Sequence, residues 1–519
     1  MSCAYRYKQI SKLFQAQTGV PAGVCPLAIA VTPGARQVIE RLQSAGHQAV
    51  VVGGAVRDAA RGLTSHDSDV ATSATPGQVQ ALFGEAVYDA GGKAHGTMLI
   101  AAEGEEPIEV TTFRRDVSTD GRNATVAFTD DLLTDLQRRD LTVNALAYDP
   151  VAEELYGPDG DPSSSLDDLV KGEISFVGDG IERIREDRLR AIRAPRIEAK
   201  LDGKLSLSAE AAIGQAVDEG LLPGPLSAER VRDELLKTLD LPDGVRGLRR
   251  WQQLGLMKVF LPEVSACQGQ AQNIHHDGID VLEHNFRAAE AVDVESPGLD
   301  VFRDPDKVPV PGDKVPVPGD KEDHYAAGKM RLTMMLHDVG KPPTADYRGR
   351  DYGYSFIGHE KEGARMVDDI CRRLKLDNKT RGFIVLAARE HMAVPKPDAS
   401  EKSIRRWARR VGGENVEFLL TVRAADWGAA GRDKAEETRR GAQRVRRVLA
   451  EAKEAQTERL AVNGHAVMKS LGLKRGGPEV GQALRHLEGL VDADPKMNNR
   501  EALLESLRVW KEDGGRRKS

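Results

Sequence analysis

A chain of 519 residues is too long for a single hydrophobic core and points to three or four modules, while 30% charged and 40% hydrophobic residues describe a folded, soluble protein. A net charge of −6 excludes wholesale coating of nucleic acid but leaves room for a local basic face, and an aromatic content of 5% argues against stacking as the main way of holding single strands. The four cysteines Cys3, Cys25, Cys267 and Cys371 lack C-x-x-C spacing, and no run of about 18 apolar residues or N-terminal apolar leader occurs, so a cytoplasmic protein is expected, without disulfide frame, cysteine zinc site or membrane span.

Residues 1–35 carry no periodic signal and read as an N-terminal extension ending in Thr32-Pro33-Gly34. From 36 to about 155, helix-like and strand-like segments alternate, which predicts an α+β domain. Ala49-Val50-Val51-Val52 is short and β-branched, the pattern of a buried strand that delivers the turn Gly53-Gly54-Ala55-Val56-Arg57-Asp58. Gly53 and Gly54 let the backbone approach a ligand closely, and peptide N–H groups in such a turn can hold phosphate oxygens. Asp67 and Asp69 follow. On a strand, residues i and i+2 project to one side roughly 6.5–7 Å apart, so both carboxylates are expected to grip one pair of metal ions. Two ions about 3.5–4 Å apart would stabilise the attacking hydroxyl and the leaving pyrophosphate of an in-line displacement, and hard oxygen ligands favour Mg²⁺. Glu109, in Pro107-Ile108-Glu109-Val110-Thr111-Thr112-Phe113, is the expected third carboxylate from a neighbouring strand. A D-x-D by itself is usually a solvated loop; the glycine turn upstream tips it toward nucleotidyl transfer.

Beyond Pro150 strand signals become rare, and the turn cluster Gly157-Pro158-Asp159-Gly160-Asp161-Pro162 marks the change to helical periodicity. Residues 156–265 read as an all-helical neck and body for base and RNA binding. The phrases around Gly53–Asp58, Asp67–Thr72, Glu109–Arg114, Arg138–Ala145, Glu182–Arg190 and Ser227–Leu235 closely resemble, in order, the class II CCA-adding enzymes and bacterial poly(A) polymerases. The resemblance spans roughly residues 36–265. It implies a polymerase-β-like nucleotidyltransferase head with a mixed sheet, followed by an all-α neck and body. It also implies untemplated addition of C and A to the tRNA 3′ end from CTP and ATP, with release of pyrophosphate. Arg139, Asp140 and Asn144 would then hold the ribose and triphosphate, while Arg57 and Asp58 brace the turn.

Asp187 and Arg190 stand three apart on a predicted helix and so share a face, where an ordinary surface ion pair is the plain alternative. A carboxylate acceptor beside a guanidinium donor complements the amino group and ring nitrogen of cytosine or adenine. Uracil and guanine present the reverse order, and each mispaired contact costs about 1–3 kcal/mol. Two departures from the family pattern stand out: Ser68 lies between the aspartates, and Pro195 is expected to kink or end the base-reading helix. Poly(A) polymerase and partial CC-only or A-only addition are the alternatives that share this chemistry. An HD phosphohydrolase or RNA-binding protein with an inactive head is the alternative of another class.

Residues 266–435 contain His337-Asp338 in Met335-Leu336-His337-Asp338-Val339-Gly340-Lys341, a signature that resembles the HD superfamily of metal-dependent phosphohydrolases. His284, His359, His391 and Asp426 are its expected companions, and His276 precedes them. Imidazole and carboxylate from separate helices suit Mg²⁺ or a transition ion such as Mn²⁺ or Ni²⁺, whose bound water would attack phosphorus. The resemblance implies 3′-end cleaning or repair, with the substrate left open among a 2′,3′-cyclic phosphate, a nucleotide and a terminal phosphate. Between His284 and His337 the heptad Asp306–Gly312 repeats at once as Asp313–Gly319, and its prolines predict an extended insertion near 304–321. The tail, 436–519, is helical and rich in arginine, with Arg439-Arg440, Arg444, Arg446-Arg447 and Arg516-Arg517-Lys518, joined by Arg405-Arg406 and Arg409-Arg410. It reads equally as a solvated face or as a phosphate track for the tRNA acceptor arm. The oligomeric state is left open.

Overall fold

The computed structural model describes residues 31–63, 69–89, 96–102, 104, 106–119, 124–273, 278–302, 325–429, 432–454, 460–473 and 475–512. Asp67, His276, the heptad repeat, most of the N-terminal extension and the terminal Arg516-Arg517-Lys518 lie outside these residues. The described chain divides into two compact units. One takes its residues from Met1–Ala266, Arg303–Leu332 and Asp369–Arg381, the other from Cys267–Phe302, Thr333–Asp368 and Gly382–Ser519. Among the described residues no helix is long and apolar enough to cross a membrane.

The first unit opens with α1 (Pro33–Ser44). Pro33 sits at the first helical position, where its missing N–H costs nothing, and the Thr32 hydroxyl accepts from the Ala35 N–H at 3.3 Å. Ala35, Val38, Ile39 and Leu42 form the buried stripe of this helix. A seven-stranded mixed sheet follows, built from β1 (Ala49–Val52), β2 (Val70–Thr72), β3 (Val87–Tyr88), β4 (Thr97–Ile100), β5 (Ile108–Thr112), β8 (Ala147–Asp149) and β9 (Glu154–Tyr156); β6 (Arg114–Thr119) and β7 (Ala124–Phe128) pair separately. The order across the sheet is β3-β4-β5-β2-β1-β8-β9. All four residues of β1 are buried, as a continuous apolar run at the centre of a covered sheet requires. Val50, Val52, Ala71 and Ala147 pack with Phe113, Leu132 and Leu136 in one core cluster, the two leucines coming from α4 (Leu132–Gln137); the intervening helices are α2 (Gly54–Ala60) and α3 (Pro76–Phe83).

β2 and β5 run parallel with Val70 opposite Val110, whereas β1 is antiparallel to both β2 and β8. That parallel pairing of β2 with β5 decides where the carboxylates fall. Helices then take over: α5 (Ser163–Lys171), α6 (Gly180–Glu186), α7 (Leu189–Leu201), α8 (Leu207–Asp218), α9 (Ala228–Asp240), α10 (Gly244–Gln253), α11 (Leu256–Phe260) and α12 (Pro262–Ser265). Trp251 of α10 is fully buried and packs 5.6 Å, ring to ring, from Phe260. Helix α7 runs through Pro195 to Leu201 instead of ending there. Its apolar face, including Ile192, Pro195 and Ile197, is buried, and this packing outweighs the hydrogen bond lost at the proline.

The rest of the chain is mostly helical, and the boundaries between the two units at Leu332, Asp369 and Arg381 fall inside its helices. Val281–Glu290 forms α13, and α14 (Ala326–Leu336) ends just before His337. Next come α15 (His359–Arg373), α16 (Asn378–Glu390), α17 (Glu401–Val411), α18 (Val416–Gly428) and α19 (Arg432–Glu454). Phe302, Phe383 and Phe418 meet edge to face at centroid distances of 5.3–5.8 Å. The last helices, α20 (Gly464–Leu471), α21 (Pro478–Ala493) and α22 (Arg500–Glu512), close over a small core of their own around Val467, Leu487, Leu503 and Leu507.

Candidate functional site

In the first unit a cavity of about 660 Å³ opens beside the glycine turn. Gly53 has φ 73° and ψ −130°, a conformation that side-chain-bearing residues avoid, and a Cβ there would stand 3.2 Å from Arg139 Nη1. Asp69 lies one residue before β2, and its carbonyl accepts from the Val52 N–H at 2.9 Å. Glu109 lies one residue before Val110 on the parallel neighbour, so the register of β2 with β5 sets Asp69 and Glu109 side by side on adjacent strands, about 4.8 Å apart. Both line the cavity, together with Gly53, Gly54, Arg57, Arg139, Asp140, Asn144, Asp187 and Arg190. Among the described residues expected at the nucleotide site, Asp58 alone does not line the cavity; it bonds Arg57 instead.

That grip begins a continuous polar network. Buried Arg57 donates from Nε to Asp58 Oδ1 and from Nη2 to Asp58 Oδ2, both at 2.8 Å, and from Nη1 to Asn144 Oδ1 at 2.5 Å. Asn144 Nδ2 donates to Asp140 Oδ1 at 3.3 Å, and Arg193 Nη1 donates to Asp140 Oδ2 at 3.2 Å. Buried Glu234 of α9 completes it, accepting from Arg196 at 2.7 Å and lying 3.5 Å from Arg193. Burial by itself raises the Asp140 carboxyl, yet the charge of Arg193 and the Asn144 hydrogen bond outweigh it and hold the group below its ordinary value. Arg193, Arg196, Arg230 and Glu234 are participants that motif reading missed. Their signal was present in the Arg190-x-x-Arg193-x-x-Arg196 spacing and in the i,i+4 pair Arg230 and Glu234.

The helix expected to carry both Asp187 and Arg190 is broken between them. Asp187 sits in the joint of α6 and α7 with extended φ −142°, and its carboxylate accepts the Leu189 N–H at 3.1 Å, capping the start of α7. The two side chains do not pair with each other. Asp187 accepts from Arg230 Nη2 at 2.9 and 3.1 Å, whereas Arg190 donates to Glu186 at 2.7 Å and to the Arg138 and Arg183 carbonyls at 2.7 and 3.1 Å. Each is thus held by its own partners, and both still face the cavity.

The second unit gathers His284, His337, Asp338, His359, His391 and Asp426, all buried. His337 Nδ1 lies 2.7 Å from the Met334 carbonyl, His359 Nδ1 2.7 Å from that of Phe356, and His391 Nδ1 3.0 Å from that of Ala388. A carbonyl only accepts, so each Nδ1 carries a hydrogen, and each Nε2 offers a lone pair to the centre whenever its ring is neutral. Asp338 Oδ2 lies 3.3 Å from His337 Nε2 and 3.6 Å from His284 Nε2; its other oxygen lies 3.5 Å from Nε2 of both His359 and His391. Asp426 Oδ1 is 3.0 Å from His284 Nε2. His337 Nε2 and Asp338 Oδ1 are buried with no partner in hydrogen-bonding geometry, an arrangement that costs free energy in a bare protein and suits a cation. Burial opposes a charge on His337, but Asp338 and Asp426 outweigh it and push its pKa up to about 10. Lys341 Nζ bonds Asp338 Oδ2 at 2.6 Å and Gln272 Oε1 at 2.8 Å.

The arginines expected to form a phosphate track are largely matched by glutamates: Arg439 with Glu436, Arg446 with Glu417, Arg405 with Glu401 and Arg410 with Glu390. Such exposed pairs contribute little stability, and they also reduce the field available to an RNA backbone.

A mixed sheet with two acids beside a glycine turn, an arginine-lined cavity reaching a helical neck, and a separate histidine-aspartate centre define a nucleotidyltransferase with an HD domain. Residues 49–175 match the poly A polymerase head domain, 224–268 the probable RNA and SrmB-binding site of polymerase A, and 322–431 the HD domain; an A-adding tRNA nucleotidyltransferase of Deinococcus radiodurans is 32% identical over 454 residues, spanning 85% of this chain and 90% of that protein. The chain belongs to the tRNA nucleotidyltransferase family. A CCA-adding enzyme of Lactobacillus gasseri is 36% identical over 242 residues, which is 46% of this chain and 56% of that relative. The crystal structure of the Bacillus stearothermophilus CCA-adding enzyme in complex with CTP superposes with a TM-score of 0.63 at 26% identity, covering 93% of this chain and 99% of that one. The Thermotoga maritima CCA-adding enzyme complexed with tRNA shares the fold at 17% identity, with a TM-score of 0.51.

Proposed function

We propose that this enzyme works in the cytoplasm and adds C and A to the 3′ end of tRNA from CTP and ATP. The observation that carries this reading is that one cavity is lined both by Asp69 and Glu109 and by Asp187 and Arg190. The donor set is hard oxygen, which fits Mg²⁺; Asp69 and Glu109, with Asp67, are the residues to hold it. Bound Mg²⁺ supplies charge stabilisation at the attacking and departing oxygens. The chain's own residues do the rest. Gly53, whose own N–H donates to the Leu146 carbonyl at 3.0 Å, makes the turn that lets Gly54 bring its backbone N–H to the triphosphate, Arg139 adds positive charge there, and the Arg57–Asn144–Asp140 network fixes the turn against the ribose side of the pocket. Asp187 accepts from the amino group of C or A while Arg190 donates to the ring nitrogen, so protein takes the place of a template strand.

Incorporation of each labelled nucleotide into tRNA ending before the first C, after C and after CC tests this. CCA formation on the first supports full addition, and long A tracts on any RNA would assign a poly(A) polymerase instead. One observation favours a second reading, addition of A alone: the Deinococcus radiodurans relative that spans most of this chain is an A-adding enzyme, whereas the Lactobacillus gasseri CCA-adding relative matches under half of it. Extension of only the CC-ended substrate would select that reading.

For the HD centre we infer metal-dependent phosphoester hydrolysis with Mg²⁺, Mn²⁺ or Ni²⁺. His284, His337, Asp338 and Asp426 offer one group of ligands, and Asp338 with His359 and His391 a second. The two oxygens of Asp338 face different histidine pairs, so this carboxylate would belong to both groups. Bound metal supplies an activated water; Lys341 places a positive charge at the same wall for the phosphate.

A further inference from the structure

Helix α7 lines more of the head cavity than its base-reading end. Arg190, Arg193, Ile197 and Lys200 all lie on the cavity wall, and steps of three, four and three residues put them on one face of the helix. From Arg190 to Lys200 the helix rises about 15 Å, the length scale of an extended nucleoside triphosphate. One helix face therefore runs beside the whole ligand. Its far end is also the phosphate end: Lys200 Nζ lies 3.5 Å from Oδ2 of Asp58, a residue of α2, the helix that the glycine turn begins.

Asp58 is already engaged through both oxygens, since Arg57 donates to each at 2.8 Å. The approach of Lys200 is longer than the about 2.7–2.9 Å of a charge-assisted hydrogen bond, so Asp58 draws the ammonium to the wall and leaves its N–H groups able to turn to a ligand. One carboxylate thus answers two cations. A second sharing of this kind lies alongside, where Glu234 answers both Arg193 and Arg196. Positive charge on this wall is only partly matched. Burial, and after it the charge of Arg57, pull the Lys200 amine below its ordinary pKa, with Asp58 opposing them. An anion beside Lys200 supplies the missing counter-charge. Of the two cations on Asp58, Lys200 is the one open to a ligand, its side chain being 41% exposed against 4% for Arg57.

We propose that Lys200 is a further substrate-binding residue of nucleotidyl transfer, whose ammonium takes the β- and γ-phosphates of the incoming nucleotide and then the departing pyrophosphate. The work divides along α7. Arg190 tells one base from another, and Lys200 tells a triphosphate from a monophosphate. A lysine suits that task, because it meets phosphate as a compact point charge on a flexible stem and can follow the phosphates as the leaving group separates. A monophosphate ends short of it. Pyrophosphate, which has no base, meets Lys200 and leaves Arg190 unfilled. The proposal rests on the reading given above, in which this cavity takes CTP and ATP.

Calorimetric titration of the full-length protein in Mg²⁺, without RNA, with CTP, CMP and inorganic pyrophosphate tests this. Lys200→Met keeps the reach of the side chain, removes its charge and leaves Asp58 paired with Arg57. It is expected to raise Kd for CTP and for pyrophosphate about tenfold, the lower end of what one hydrogen bond to a charged group is worth, with Kd for CMP unchanged. Lys200→Arg keeps the charge and is expected to restore most of the affinity. Equal loss for CTP and CMP would mean that the substitution only displaces α7, and it overturns the proposal, as does no loss for either. Asp187→Asn separates this from the reading beneath it. CTP binding that Asp187→Asn weakens and Lys200→Met does not overturns Lys200 alone. Weakening by Lys200→Met alone upholds the phosphate contact and overturns the base reading, and binding that neither change touches overturns both.

Discussion

Arg230 donates to both carboxylate oxygens of Asp187, at 2.9 and 3.1 Å, although the two residues stand 43 apart in sequence. The pair joins helix α9 to the joint between α6 and α7, and it fixes the direction of the Asp187 carboxylate, which lines the cavity. A carboxylate meant to read an amino group must hold a fixed direction, and a guanidinium that bonds both of its oxygens provides that.

Replacing Asp187 with Asn substitutes a donor for half of that acceptor. C and A incorporation is expected to fall by about 5- to 150-fold, equivalent to about 1–3 kcal/mol of lost base discrimination, while U incorporation rises. Arg230→Gln leaves the carboxylate but frees it, and is expected to shift selectivity in the same direction to a smaller degree. Single-nucleotide incorporation with each of the four triphosphates measures both.

Asp69→Ala is expected to lower nucleotide incorporation by on the order of 10³-fold, the scale of a lost transition-state charge contact. Glu109→Gln keeps the shape and removes the charge, so it follows the same direction. Neither change is expected to alter Mn²⁺ binding by the HD centre. Incorporation that survives Asp69→Ala would show that the polymerase assignment is wrong.

Asp338→Ala removes the carboxylate that faces both histidine pairs. Stoichiometric binding of Mn²⁺ or Ni²⁺, followed by equilibrium dialysis, is expected to disappear, and with it any phosphate release. Nucleotide incorporation in Mg²⁺ is expected to persist, because the head cavity draws no ligand from Asp338. Exhaustive chelation followed by return of Mg²⁺ alone is expected to restore incorporation in the wild type.

Gly53→Ala places a methyl group where φ is 73° and Arg139 Nη1 is 3.2 Å away. Backbone strain of about 1–3 kcal/mol and a displaced Arg139 are the expected costs. KM for the nucleoside triphosphate should rise, with a lower unfolding midpoint by calorimetry.

Asp140 supplies a pH signature. Its folded-state value is lowered from an ordinary 3.8, so the unfolded chain binds the proton more readily. The stability contributed by its pairing is complete above the ordinary value and is lost as pH falls below it, through the lowered folded-state value. Arg193→Gln removes the main opposing charge, so the gap in urea midpoint between wild type and variant is expected to be widest near neutral pH and to shrink below about pH 4.

Much of this was readable one residue at a time. The apolar run before Gly53-Gly54, the acids at 69 and 109, and the His337-Asp338 pair are short-range patterns, because a strand's period and a turn's need for glycine are set by local sterics. Asp187 shows where that logic stops: three-residue spacing predicted a shared helical face, yet the carboxylate caps the next helix instead, a choice decided by Arg230 arriving from a distant segment. The helix that outlasts Pro195 is a case of the same kind, since packing of its apolar face overrides the local penalty.

What the amino-acid order determined by itself was the inventory of chemical groups and the class of reaction they serve. Only the tertiary structure decided which groups meet: the parallel pairing that sets Asp69 beside Glu109, the carbonyls that hold the Nδ1 hydrogens of three histidines, and the placing of Asp338 between two histidine pairs. Those outcomes depend on contacts between segments tens to hundreds of residues apart, whose energies come from packing and mutual charge and leave no periodic trace along the chain.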